Sequence, residues 1–247
     1  MNTPWPWPYP RRIAHRGAGL LAPENTLAAL RLGAEHGYTM FEFDVKLSAD
    51  GVAVLMHDAT LARTAGLEGC VADRSWADLA HCDVGSWHSP RYAGEGIPTL
   101  ARVGRWLHAN RFYANIEIKP CPGREVETAA RIVEYLDHHW PKAMVPPLLS
   151  SFSEAALAQA LALAPHWPRA LLLKELPADW LDRCSRLACV AVDPHHRSLD
   201  AEVVQQAHRA GLRVLTYTVN DPQRVSELDA MGVDAVITDA LDILSPA

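Results

Sequence analysis

Residues 41–58 read FEFDVKLSADGVAVLMHD, and they begin with a strict alternation of apolar and charged residues. Successive side chains of a strand point to opposite faces, so Phe41, Phe43 and Val45 form one face and Glu42, Asp44 and Lys46 the other. Alternation of this kind suits a half-exposed antiparallel sheet with its charges in water. It also suits a strand of a closed barrel with its charged face turned inward. The rest of the chain decides between the two.

Eight strand-like stretches recur along the sequence: RIAH (12–15), MFEFDV (40–45), FYANIEIK (112–119), PLLSSF (147–152), RALLL (169–173), LACVAVD (187–193), RVLTYTV (213–219) and DAVITD (234–239). Segments between them, such as 24–37 and 202–211, have helical periodicity, and Gly37 and Gly211 stand where a helix C-terminus takes a left-handed residue. Strands alternating with helices predict parallel βαβ units. Eight of them in 247 residues predict a single α/β domain over 1–247, a (β/α)8 TIM barrel rather than an open doubly wound sheet. One connection breaks the rhythm. Between His57 and the helix that Thr99 is expected to cap lies an insertion at about 59–98, after the second strand and too long for an ordinary βα loop. It reads as a lid or substrate-contacting segment over the mouth, or as a structural decoration.

Composition bounds the function. At 49% hydrophobic and 21% charged residues the chain can bury a sizeable core. Cysteines 70, 82, 121, 184 and 189 are odd in number and form no CxxC, which points to a reducing compartment. The opening MNTPWPWPYPRR puts its charges after its apolar residues and is broken by four prolines. It therefore lacks the order of a secretory signal and reads as an extended arm. No apolar run approaches the roughly 18 to 20 residues of a membrane span, so the expectation is a soluble, cytoplasmic protein. A formal charge of −6 without a Lys/Arg cluster argues against nucleic acid as partner.

Active sites of TIM barrels sit at the C-terminal ends of the strands, and the chemistry-bearing residues fall there. His15 and Arg16 follow the first strand, Glu42 and Asp44 lie late in the second, His57 and Asp58 come after a short extension, and Asn115, Glu117 and Lys119 share one face of the third. Three carboxylates directed into one barrel mouth repel each other unless a cation neutralises them, because an unpaired buried charge is costly. A divalent metal is therefore expected, and an all-oxygen set favours Mg²⁺ or Ca²⁺, with Mn²⁺ also suitable, over Zn²⁺. A metal-hydrolase barrel of the amidohydrolase type would open with two histidines one residue apart on the first strand, where this chain has only His15. Two histidines beside such a metal suit phosphodiester cleavage: one imidazole takes a proton from the nucleophile, the other protonates the leaving alkoxide, and Arg16 and Lys119 hold the non-bridging oxygens. Three carboxylates, one divalent metal and two cationic side chains leave the site at about +1, which attracts a phosphodiester anion into an acidic protein.

The stretches AHRGAGLLAPENTLAAL, FEFDVKLSADGVAVLMHD and NIEIKP, with PPLLSSF, YTVN and GVD…TDA further on, resemble the glycerophosphodiester phosphodiesterase family. Within it the chain is similar to short cytosolic bacterial members associated with glycerol 3-phosphate uptake, over nearly its whole length. The resemblance implies a barrel with an insertion after the second strand, water-soluble glycerophosphodiesters as small-molecule substrates, and sn-glycerol 3-phosphate and an alcohol as products. It implies His15 and His57 as the acid-base pair, Glu42, Asp44 and Glu117 as metal ligands, and Arg16 and Lys119 as phosphate contacts.

Several residues keep two readings at this point. Arg16 suits a structural salt bridge as well as a phosphate contact, and Asp58 suits orientation of His57. Glu24 is a candidate substrate contact, although it stands with Asn25 at a helix start where an Asn or Thr cap is the ordinary explanation. Tyr217 suits an aromatic wall for the glycerol carbons or plain core packing. The pairs His138-His139 and His195-His196 read as surface residues, and Cys184 and Cys189 as core. Two rival functions remain: a lyase-like transfer in which the substrate's own hydroxyl attacks phosphorus and a cyclic phosphate is released, and a domain that binds glycerophosphodiesters without turnover.

Overall fold

The computed structural model describes residues 6–246. Among them nine strands form one sheet: β1 (Arg12–Ala14), β2 (Met40–Leu47), β3 (Ala53–Leu55), β4 (Tyr113–Ile118), β5 (Leu148–Ser151), β6 (Arg169–Leu173), β7 (Ala191–Pro194), β8 (Arg213–Thr216) and β9 (Ala235–Thr238). All but β3 pair in parallel with their neighbours, and β1 pairs with both β2 and β9. The eight parallel strands thus close into the expected TIM barrel. The ninth, β3, is absent from the sequence reading. It is a three-residue antiparallel extension of β2, with Val45 opposite Leu55, and too short to show a period of its own.

The helices are α1 (Leu27–Glu35), α2 (Ala62–Ala65), α3 (Trp76–Leu79), α4 (Leu100–Asn110), α5 (Glu125–His139), α6 (Glu154–Leu163), α7 (Trp180–Arg186), α8 (Ala201–Arg209) and α9 (Pro222–Met231). Thr99 caps α4 by accepting the Arg102 amide at 3.2 Å, as expected. At the start of α1 the cap is Thr26, which accepts the Ala29 amide at 3.1 Å and leaves Asn25 for other work. No helix among the described residues is long and apolar enough to cross a membrane.

The alternation in β2 resolves in favour of the inward charged face. Phe41, Phe43 and Val45 are buried against Leu30 of α1, Val103 and Leu107 of α4 and Ile132 of α5. Inside the barrel a second cluster of Ile13, Met40, Leu148, Ala170, Ala191, Leu215 and Ala235 fills the N-terminal end. The arm closes that end from below. Trp7 packs edge-on to Tyr9 at 4.9 Å, and the Tyr9 hydroxyl donates to the Pro146 carbonyl at 2.8 Å; residues 1–5 of the arm lie outside the described residues. An apolar plug thus occupies one end of the barrel and leaves the polar side chains to the other. Segment 59–98 builds a small core of its own, in which Leu61, Val71, Leu79, Val84 and Ile97 pack with Val54 and Met56.

Candidate active site

Parallel pairing of β2 with β4 sets Asp44 opposite Glu117 and Glu42 opposite Asn115. That register, with side-chain period two, puts Asp44 level with Glu117 and Glu42 one step below on the same inward face, where an oxygen of each lies within 4.8 Å of the others. All three are buried. Burial, with Asp44 close by, pushes the Glu117 carboxyl up to about 8, and burial with both neighbouring carboxylates pushes Glu42 well above the ordinary range. Burial would raise Asp44 too, but Lys119 and Arg16 hold it low. A triad of hard oxygens that cannot all ionise unaided fits a divalent cation, so this cluster can hold a metal ion.

Around the triad the cations are placed by the backbone. Lys119 donates to Asp44 at 2.9 Å and to Glu117 at 3.0 Å. Arg16 follows β1 in a left-handed conformation, φ 50°, which turns its amide toward Glu42 Oε2 at 3.1 Å while its guanidinium reaches Glu24 at 3.1 Å and Asp44 at 3.5 Å. Lys46, fully buried, donates to the His57 carbonyl at 2.8 Å and fixes the β3 extension against β2.

His15 and His57 line one cavity of about 880 Å³ with Arg16, Glu42, Glu117 and Lys119. Each imidazole is held the same way. His15 Nδ1 lies 2.6 Å from Asp239, and His57 Nδ1 lies 2.6 Å from Asp58. A carboxylate on Nδ1 fixes the ring and leaves Nε2 as the working nitrogen. His15 Nε2 is 3.8 Å from Glu42. For His57, burial holds the imidazolium below its ordinary range despite the neighbouring Asp44.

The expected residues thus come together, with three differences. Glu24 does not line the cavity: its two oxygens accept from Arg63 at 2.7 Å each, and one also accepts from Arg16, so that it braces both guanidinium groups. No residue of segment 59–98 lines the cavity; the segment reaches the site through Arg63, which grips Glu24 on one side and Asp58 at 2.7 Å on the other. His195 and His196 are half-buried rather than on the surface, and His195 lines the cavity beside Tyr217, with ring centroids 5.6 Å apart. Tyr217 lines the same wall and donates its hydroxyl to the Leu173 carbonyl at 3.0 Å.

Sequence reading missed three partners. Asn25, at φ 59°, spans both groups of Asp44: its side-chain amide donates to Asp44 Oδ2 at 2.8 Å, and its oxygen accepts the Asp44 amide at 3.0 Å. Asp239 comes from the far end of the chain. Gly19 makes room for it, since a Cβ there would sit 2.2 Å from the Asp239 backbone. Asp193, at the base of the cavity, has no hydrogen-bond partner for either oxygen among the described residues, and burial with Glu117 nearby pushes its carboxyl well above the ordinary range. The TDA ending could have pointed to Asp239; nothing in the sequence marks Asp193.

The chain is 32% identical over 232 residues to a glycerophosphodiester phosphodiesterase of Caldanaerobacter subterraneus subsp. tengcongensis, covering 92% of this chain and 93% of the relative. It is similar to a solved phosphodiesterase of Oleispira antarctica in complex with the product sn-glycerol-3-phosphate, with a TM-score of 0.91, 39% identity and 95% of each chain covered. A solved putative glycerophosphoryl diester phosphodiesterase of Silicibacter pomeroyi follows at a TM-score of 0.82 and 26% identity, covering 94% of this chain and 90% of that one. Residues 15–243, which take in every strand but β1, match the Glycerophosphoryl diester phosphodiesterase family, and the chain belongs to this family.

Proposed function

We propose that the protein hydrolyses water-soluble glycerophosphodiesters to sn-glycerol 3-phosphate and an alcohol, with His15 as general base and His57 as general acid. One observation carries this reading: two imidazoles, each held by a carboxylate on Nδ1, open into one cavity beside the three-carboxylate cluster. Binding alone needs no such matched pair. His15 Nε2 takes a proton from water as its oxygen attacks phosphorus; the bond from phosphorus to the alcohol oxygen breaks, and His57 Nε2 gives that oxygen its proton. Arg16 and Lys119 orient the phosphate and offset its charge. Glu42, Asp44 and Glu117 would hold a divalent cation, Mg²⁺ or Ca²⁺ with Mn²⁺ also accepted, which when bound supplies Lewis-acid polarisation of a phosphoryl oxygen. The five free cysteines support a cytoplasmic setting.

The test is an assay of several glycerophosphodiesters with phosphorus NMR of the products, after chelation and again after each metal is restored. Release of glycerol 3-phosphate and alcohol that stops on chelation and returns with the metal is expected. Accumulation of a cyclic phosphate that is not hydrolysed overturns the hydrolase reading in favour of the lyase-like transfer, and tight binding without alcohol release overturns it in favour of a binding domain.

A further inference from the structure

The cavity extends well beyond the carboxylate cluster. Around the barrel the strands run β1, β2, β4, β5, β6, β7, β8, β9, so β6 and β7 lie across the mouth from β1 and β2. A phosphate held by groups on β1, β2 and β4 must therefore direct an arm of the diester toward the ends of β5 to β8. Those four ends supply one wall: Phe152, Lys174, His195 and Tyr217, each the first or second residue or so beyond its strand. Its rings are fixed against one another, Phe152 to Tyr217 at 5.7 Å and His195 to Tyr217 at 5.6 Å, both edge-on.

Charge on this wall is not balanced. Arg16 and Lys119, the other cations lining the cavity near the cluster, are engaged by Glu24, Asp44 and Glu117. Lys174 is exposed and forms no ion pair or hydrogen bond among the described residues. Outside the cluster the lining holds two carboxyl groups: Asp193, buried at the base of this wall, and Glu125, which accepts the Gly123 amide at 3.2 Å and lies in the first turn of α5, where the helix N-terminus offsets its charge. His195 adds a donor. Its Nδ1 accepts the Arg197 amide at 3.3 Å, so its ring N–H sits on Nε2.

We propose that this wall is the subsite for the leaving alcohol and that Lys174 makes the enzyme prefer alcohols bearing negative charge, such as a carboxylate, over those bearing a quaternary ammonium. The proposal rests on the phosphodiesterase reading above. Glycerol is neutral in every substrate of the class, so charge discrimination at Lys174 acts only if the variable arm lies there. An aromatic wall on its own would favour a cation through the ring faces. Edge-on packing occupies part of those faces, and Lys174 opposes a cation directly.

The test compares kcat/KM for glycerophosphoserine, glycerophosphocholine and glycerophosphoglycerol in the parent enzyme and in Lys174→Gln and Lys174→Glu. An exposed ion pair changes affinity by about two- to fivefold. The serine-to-choline ratio should therefore fall about threefold in Lys174→Gln and about tenfold in Lys174→Glu, whose charge acts on both esters, while the neutral glycerol ester stays within about twofold. An unchanged ratio in active enzyme overturns the assignment of Lys174. Equal losses on all three esters also overturn it, because Lys174 then meets the shared glycerol. If the parent enzyme cleaves none of the three, the phosphodiesterase reading itself falls and takes this proposal with it.

Discussion

Removing the cation should make the protein's stability depend on pH in the direction opposite to ordinary acid denaturation, and Glu117 sets the size of the effect. Burial and Asp44 raise its carboxyl to about 8 in the folded chain, against about 4.3 when unfolded. A raised pKa means that the folded state holds a proton that the unfolded state has released. The stabilisation is fully present below about pH 4.3 and is lost as pH rises through about 8, at a slope of roughly 1.4 kcal/mol per pH unit. Between pH 6 and pH 8 the chelated protein should therefore lose about 2 kcal/mol from this group. For a chain of this length that corresponds to roughly 4–8 °C in Tm. A bound cation replaces the proton, so the loaded protein should show little of this dependence and should expel a proton when it binds metal at pH 6 to 7. Thermal melts at pH 6 and pH 8, in EDTA and in excess Mg²⁺, measure both arms. Glu117→Gln removes this titrating group and should make the EDTA curve shallower, with Glu42 and Asp193 keeping their share of the slope. If Glu117→Gln and the parent have the same pH dependence in EDTA, the electrostatic account of the triad is wrong.

Three further expectations test other parts of the site. Nitrophenolate needs almost no protonation to leave, so His57→Ala should cleave a nitrophenyl glycerophosphate nearly as fast as the parent while losing roughly 10²- to 10⁴-fold on a choline ester; rescue of His15→Ala instead would exchange the two roles. Arg63→Ala frees Asp58 and Glu24 together and should lower kcat by roughly 10- to 100-fold with KM little changed, and Arg63→Lys should not restore it, because a lysine cannot grip both carboxylates in bidentate fashion; full activity in either variant counts against a positioning role. Gly19→Ala combines φ 56° with a Cβ 2.2 Å from the Asp239 backbone, so it should cost about 2 kcal/mol or more in a denaturant titration and depress kcat by displacing Asp239 from His15; unchanged stability would mean that the turn yields more easily than its geometry implies.

Much of this architecture is written in local periodicity. Eight strand-like stretches and the charged face of β2 announce the barrel, because a period of two is visible within six residues. The triad is legible for the same reason: two neighbouring strands carry carboxylates on matching faces, and parallel register does the rest. The less legible residues owe their role to contacts between distant segments. Asn25 resembles a helix cap until Thr26 is seen to take that task. Asp239 ends the DAVITD stretch, but its pairing with His15 comes only from barrel closure. Arg63 lies in a segment without periodicity, where position alone suggested a lid. His195 stands beside a second histidine just past a strand, and only the Arg197 turn and the Tyr217 ring carry it into the cavity.

The pairing of His15 with Asp239 joins residues 224 positions apart, and it has a consequence for how the protein comes into being. The first strand ends at Ala14 and its closing partner begins at Ala235. During synthesis at about 5 to 20 residues per second, β1 waits roughly 10 to 45 s on the ribosome before β9 exists to seal it. Over that interval the nascent chain carries most of its carboxylates and both imidazoles but not the aspartate that fixes the first of them. Activity should switch on only after Asp239 has been made, and a product cut short before Asp239 should accumulate as an open, unsealed barrel for chaperones or proteases to clear.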